Sequence, residues 1–127
     1  MKEYKDLDVW IKTKELAKAI LQVAETLPQT ENFAMGFQIR KSAISIPSNI
    51  AEGCGRNTTK DTLQFLYISR GSLYELETQI ILSFEMNYIN ETKHNELLSK
   101  ITECKKLLNG FINYYISKIE QKPSTNN

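Results

Sequence analysis

The stretch from Gln38 to Arg56, QIRKSAISIPSNIAEGCGR, reads as a helix that carries a continuous polar stripe. At about 100° per residue, Gln38, Ser42, Ser45, Asn49, Glu52 and Arg56 fall within an arc of roughly 80°. The adjoining arc holds Ile39, Ala43, Ile46 and Ile50, and a third sector holds Phe37, Ile44 and Ala51. Apolar surface therefore borders the stripe on both sides, and a helix of this kind is expected to touch neighbours on two fronts. The plainer alternative is that the stripe faces water. Pro47 lacks the donor that would bond back to Ala43, and its ring crowds that carbonyl, so the pattern predicts a kink at Pro47 without a break. The helix is expected to open near Thr30 or Glu31 and to stop at Gly53 and Gly55, since glycine tolerates the left-handed conformation that ends helices.

Working outward, three more helical blocks appear. The first runs from about Asp8 to Leu27, with Val9, Leu16, Ile20, Val23 and Leu27 at three-and-four spacing, Ala17 and Ala24 in support, and Pro28 closing it. The block after the central stretch starts behind Asn57-Thr58-Thr59, which offer capping side chains, and Asp61 suits the positive end of the helix dipole. It runs to about Asn87 on a seam of Leu63, Leu66, Leu73, Ile80 and Phe84, while Phe65, Ile68, Leu76 and Leu82 occupy other sectors. That helix is apolar over more than one face. The last block, from about Glu91 to Ile119, carries Leu97, Ile101, Cys104, Leu108, Phe111, Tyr115 and Ile119 in register, and QKPSTNN beyond it is polar.

Four helices joined by short connections predict an all-α, antiparallel up-down-up-down four-helix bundle, because a short loop cannot carry the chain back to its starting end. The bundle domain is expected over residues 1–119, with a polar flexible tail over 120–127. A chain of 127 residues is one domain by default and buries enough surface for a single core. Cys54 and Cys104 are its two cysteines, set in no ligand spacing, so neither disulfides nor a thiolate metal site is expected and a reducing cytoplasm fits. The opening MKEYKDLDVW has no apolar signal region, and no apolar run is long enough to span a bilayer.

Net charge is +1, yet Gln38 to Arg70 holds five basic residues, Arg40, Lys41, Arg56, Lys60 and Arg70, against Glu52 and Asp61. That segment carries +3 and the remainder −2. Such a segment is either a phosphate-facing surface or a solvated face. Arg40, Lys41, Arg56 and Lys60 are the candidate nucleic-acid contacts. Arg56 and Lys60 lead, because they flank a glycine-containing turn and a helix start, where cations and free amides together favour an anion. Contacts of this sort are blind to base identity, so binding would be by shape and charge. Tyr67, Tyr74, Tyr88 and Tyr114 are read as packing or rim residues in preference to base-stacking platforms.

Arg70 interrupts the core seam between Leu66 and Leu73, with Glu77 two turns further on. An unpaired buried guanidinium costs several kcal/mol, so Arg70 is expected to find Glu52, Glu75 or Glu77, or to reach water at a subunit boundary. Ser45, Asn49, Glu52, Arg70, Glu75 and Glu77 are accordingly the candidate polar network or subunit interface.

Catalysis finds little support. His94 is the single histidine, and Glu91-Thr92-Lys93-His94 supplies one E-x-x-H where a di-metal bundle needs two with further inward glutamates. Ser45 and Cys54 have no second histidine as base, and the G-x-G of EGCGR lacks the length and lysine of a P-loop. No enzyme activity, metal or cofactor is expected.

The phrase SAISIPSNIAEGCGR followed by FLYISRGSLYELETQI, after an opening YKDLDVW, resembles the four-helix-bundle family encoded by intervening sequences of bacterial 23S ribosomal RNA genes. The resemblance runs from Tyr4 to the middle of the fourth helix, and Cys54 stands where such proteins often have a larger residue. It implies a relationship to the accessory variability determinant of diversity-generating retroelements, a pentameric barrel that associates with a reverse transcriptase and nucleic acid. A homopentamer with an RNA, DNA or protein partner is thereby implied, while the lack of a spanning apolar run gives no membrane partner. Two functions follow. One is a non-catalytic accessory factor binding nucleic acid or a ribonucleoprotein, with its four basic residues gathered on one rim. The other is a structural or protein-interaction oligomer, with those charges scattered or paired to carboxylates. The apolar surplus on the third helix points independently to an interface.

Overall fold

The computed structural model describes residues 3–120, and every regular element among them is helical. The helices are α1 (Asp8–Ala24), α2 (Met35–Cys54), α3 (Thr59–Glu85) and α4 (Glu91–Glu120), with short 3-10 turns at Tyr4–Asp6 and Gln29–Glu31. The expected tail lies, beyond Glu120, outside the described residues. Each helix packs against its neighbours in sequence, α1 closes the ring against α4, and the diagonal pairs stay apart. Hydrogen-bonded partners give the register: Ser42 with Glu75, Ser45 with Ser72, and Gly53 with Thr62. Numbers rise along α2 as they fall along α3, as in helices that run in opposite senses. Arg70 with Asn109 and Glu77 with Lys105 repeat the pattern between α3 and α4. No helix among the described residues is long and apolar enough to cross a membrane.

The ends follow from local chemistry. At the start of α3 the Thr58 hydroxyl accepts from the Asp61 N–H at 3.1 Å. At the start of α4 the Asn90 side chain accepts from the Lys93 N–H at 2.8 Å. Both satisfy amides that have no partner within the helix. Asn87 ends α3 in the left-handed region, at φ 63°. There its N–H donates to Phe84 and the Tyr88 N–H donates back to Ser83, which uses two carbonyls that the helix leaves free.

The seams read from sequence meet in one core. Leu16, Ile20, Ile39, Ile46, Leu66, Leu73, Ile80 and Leu97 are among its fully buried side chains, each contributing about 1.5–3 kcal/mol on burial. The chain departs from the sequence expectation in several places, the first being that α1 ends at Ala24, short of Leu27, and that neither Gly53 nor Gly55 is left-handed at the end of α2. Helix α2 opens at Met35 and not at Thr30 or Glu31, because the chain first makes a 3-10 turn and doubles back closely. A Cβ on Gly36 would lie 2.9 Å from the Glu31 carbonyl oxygen. Leu76, which its spacing puts in a sector other than the α3 seam, is fully buried in the core. The α4 seam continues through Ile112, while Phe111, Tyr115 and Ile119 pack on its edge. Helix α2 runs through Pro47 without a break, and Pro47 is itself buried.

Candidate interaction surface on α2 and α3

Small hydroxyl residues join α2 to α3. The Ser69 hydroxyl donates to the Ile46 carbonyl and the Thr62 hydroxyl to the Gly53 carbonyl, each at 2.8 Å and buried. Nearer the surface, the Ser45 and Ser72 hydroxyls share a hydrogen bond of 2.8 Å. Asn49 Nδ2 donates to the Ser45 carbonyl and hydroxyl at 2.8 and 2.9 Å, and the Ser42 hydroxyl donates to Glu75 Oε1 at 3.2 Å. Short side chains let two helices approach closely and still satisfy their polar groups. The middle of the stripe therefore faces α3, and Gln38, Glu52 and Arg56 at its ends are exposed. Thr62, Ser69 and Ser72, the partners on α3, escape the sequence reading. The signal that could have found them is their three-and-seven spacing beside the apolar seam of that helix.

The expected network does not form as one unit. Arg70 reaches none of Glu52, Glu75 and Glu77. Its guanidinium donates to Asn109 Oδ1 at 3.2 Å and lies 5.2 Å from the Tyr67 ring centroid. The reason is angular: Arg70 sits on the α4 side of α3, whereas Ser69 and Ser72 sit on the α2 side. Glu77, on the same side as Arg70, pairs with Lys105 at 2.7 Å with both side chains about a quarter exposed. Glu52 pairs with Arg56 at 2.7 Å on the surface. Ser45, Asn49 and Glu75 thus belong to the α2–α3 seam, Arg70 and Glu77 to the α3–α4 contact, and Glu52 to a surface ion pair.

Outside the polar seam the two helices are apolar again. Phe37 and Ile44 on α2 are 51% and 48% exposed. On α3, Tyr67, Tyr74 and Ile81 recur every seven residues and stay exposed although Arg70 and Lys105 cover part of the two tyrosines from the α4 side, and Ile68 and Leu82 are 50% and 43% exposed. A strip of this kind costs free energy while it faces water.

The four basic candidates do not share a surface within one protomer. Arg40 bonds Asn32 near the start of α2, with Lys41 exposed beside it. Arg56 and Lys60 flank the α2–α3 turn, roughly 24 Å away along the helix at about 1.5 Å per residue. Arg56 also lies 4.4 Å from the Phe65 ring centroid. Tyr67, Tyr74 and Tyr114 are exposed, and Tyr88 is partly buried against the core. His94 stacks on Phe84 with ring centroids 4.3 Å apart. No group of three or more metal-ligating side chains occurs among the described residues.

This bundle, with its hydroxyl-lined helix pair, matches the model of the 23S rRNA-intervening sequence protein family over residues 5–110, and the chain belongs to that family. It is similar to a crystal structure of a protein of unknown function from the S23 ribosomal protein family of Bacteroides thetaiotaomicron VPI-5482. That match has a TM-score of 0.77 at 28% identity, and covers 82% of this chain and 97% of the other. None of the curated proteins matches this chain.

Proposed function

We propose that the protein is a non-catalytic assembly protein whose copies associate through the outward side of α2 and α3, forming a structural or protein-interaction oligomer. One observation carries this reading. Of ten large apolar side chains left exposed among the described residues, nine lie on α2, on α3 or on the residues flanking them. Burying them between copies recovers about 25 cal/mol per Å² of apolar surface, and a contact of this kind repeated head to tail closes a symmetric ring. A pentamer is the stoichiometry that the family resemblance implies. The reading takes the assembly to be cytoplasmic, in keeping with Cys54 and Cys104 both being free thiols.

Sedimentation velocity at micromolar concentration tests it. The protein is expected to run as a multiple of the chain mass, and Ile44→Glu combined with Leu82→Glu is expected to give folded single subunits. A well-folded wild-type monomer would overturn the reading.

A second reading, a nucleic-acid or ribonucleoprotein accessory factor, is favoured by Arg56 and Lys60 beside the α3 N-terminus, where the positive end of the dipole adds to both cations. The separation of Arg40 and Lys41 from that pair places it second. Titrating salt against binding to a short RNA and a DNA duplex tests it, with a steep salt slope expected and flattened by charge reversal of Arg56 and Lys60.

A further inference from the structure

A cleft of about 750 Å³ opens at the end of the bundle where α2 hands over to α3, a volume within the usual range for small-ligand sites. Three parts of the chain wall it: Tyr4 ahead of α1, Arg56 in the α2–α3 turn, and Phe111, Tyr114, Tyr115 and Lys118 near the end of α4. None of the exposed apolar residues of α2 and α3 lines it, so it is separate from the proposed assembly face.

The α4 wall is aromatic. Tyr115 meets Phe111 edge-to-face with centroids 5.1 Å apart, and meets Tyr114 likewise at 5.3 Å. Tyr114 is 54% exposed, which is more ring surface than packing requires. The Lys118 ammonium hangs over both tyrosines, 5.3 and 5.1 Å from their centroids. Among the described residues no carboxylate pairs with it. From the turn comes the Arg56 guanidinium, held by Glu52 and by the Phe65 ring. Thr58 and Thr59 also line the cleft, and the first amides of α3 have no acceptor within the helix. Glu3 contributes an opposing negative charge to the lining. Burial, together with Cys54 and Tyr114 nearby, raises the Tyr115 pKa, so its hydroxyl stays protonated as a donor.

Flat rings on one wall and two cations around the opening, Lys118 unpaired among the described residues and Arg56 shared with Glu52, suit a ligand that is planar at one end and anionic at the other. Inorganic phosphate would leave the rings bare, and an uncharged ring would leave the Lys118 ammonium without a carboxylate or phosphate partner. We infer that this cleft binds a nucleoside phosphate, with its base stacked against the α4 tyrosines and its phosphate held by Lys118, Arg56 and the start of α3. Either a free mononucleotide or the unpaired terminal nucleotide of a strand presents that chemistry. The inference goes beyond the assembly reading and does not depend on it.

Calorimetric titration of the full chain tests it, with AMP, adenosine, inorganic phosphate, a 5′-phosphorylated single-stranded tetranucleotide and a blunt duplex as probes. AMP or the tetranucleotide is expected to bind at least about tenfold more tightly than adenosine or phosphate. Tyr114→Ala and Lys118→Gln, both at exposed positions, should each weaken that binding by about tenfold with far-UV circular dichroism unchanged. AMP binding as tightly as the tetranucleotide identifies a free nucleotide as the ligand, and a much tighter tetranucleotide identifies a strand end. The inference is overturned if neither binds saturably at millimolar concentration, or if both variants bind as wild type does. It is equally overturned if the duplex binds as tightly as the single strand and Tyr114→Ala has no effect, since backbone charge alone would then suffice. Loss of nucleotide binding by an intact oligomer overturns this inference alone, whereas a monomeric wild type overturns only the assembly reading.

Discussion

A Cβ placed on Gly53 would stand 3.1 Å from the carbonyl oxygen of Thr62, whose hydroxyl in turn donates to the Gly53 carbonyl at 2.8 Å. The two residues clamp α2 to α3 beside the turn that joins them. The glycine is required there by proximity and not by backbone conformation, since it has no positive φ. The second atom that a Cβ would crowd is the Phe65 Cβ, at 3.2 Å. Neither neighbour is the free end of a flexible side chain.

Gly53→Ala is therefore expected to destabilise the bundle by about 1–3 kcal/mol, the cost of forcing volume into a packed contact, even though alanine is the better helix former. Gly110→Ala is the control. Nothing lies within 4 Å of its would-be Cβ, so only helix propensity acts, and a gain of up to about 1 kcal/mol is expected. Urea unfolding of the two variants should show opposite signs.

Thr58→Ala and Asn90→Ala each remove a side chain that caps the start of a helix. Each is expected to cost about 1 kcal/mol. Amide hydrogen exchange should localise the loss, with faster exchange at Asp61 in the first variant and at Lys93 in the second.

Glu77 and Lys105 tie α3 to α4 at 2.7 Å, with the Lys105 ammonium also 4.8 Å from the Tyr74 ring centroid. Glu77→Gln is expected to cost about 1 kcal/mol at low salt and less in high salt, because part of the attraction is screened. Denaturant midpoints measured at two ionic strengths check both halves of this expectation.

Cys104 is fully buried in the core, and burial raises its thiol pKa from 9.0 to about 12, with Glu103 adding to the shift. The folded state thus holds the proton more tightly than the unfolded chain does. The resulting stability is fully present below pH 9 and is lost as pH rises from there towards about 12. Cys104→Ala should flatten that alkaline decline, as read from unfolding midpoints against pH, while lowering stability at neutral pH through the cavity it leaves.

Much of the fold was legible because it depends on periodicity. The α1 seam of Val9, Leu16, Ile20 and Val23 and the α2 seam of Ile39, Ala43, Ile46 and Ile50 are buried as their spacing predicts. The apolar surplus on α3 was visible in the same way, and Ile68 and Leu82 are indeed exposed. Leu76 was misplaced because a helix clasped by neighbours on two sides buries a wider arc than one seam describes. The α2 start was misplaced because a 3-10 turn and a close backbone approach at Gly36 leave no periodic trace.

The candidate site was less legible. Arg70 and Glu52 both have partners, Asn109 and Arg56, but a wheel drawn for one helix cannot say which neighbour each side faces. The cleft escaped altogether, since Tyr4, Arg56, Tyr114 and Lys118 come from three separate stretches of chain.

The order of residues alone determined that this chain makes four amphipathic helices, where three of them start and, to within three residues, where they end, and that the apolar side chains cannot all hide in one core. Hydrophobic period, capping residues and helix breakers act over a few neighbouring positions, so they are written locally. Only the tertiary structure decided that the polar stripe of α2 spends its middle on Ser72 and Glu75, that Arg70 turns to α4, and that the basic residues split between two ends. Those outcomes depend on the angle at which one helix meets another, a quantity set by packing across the whole bundle.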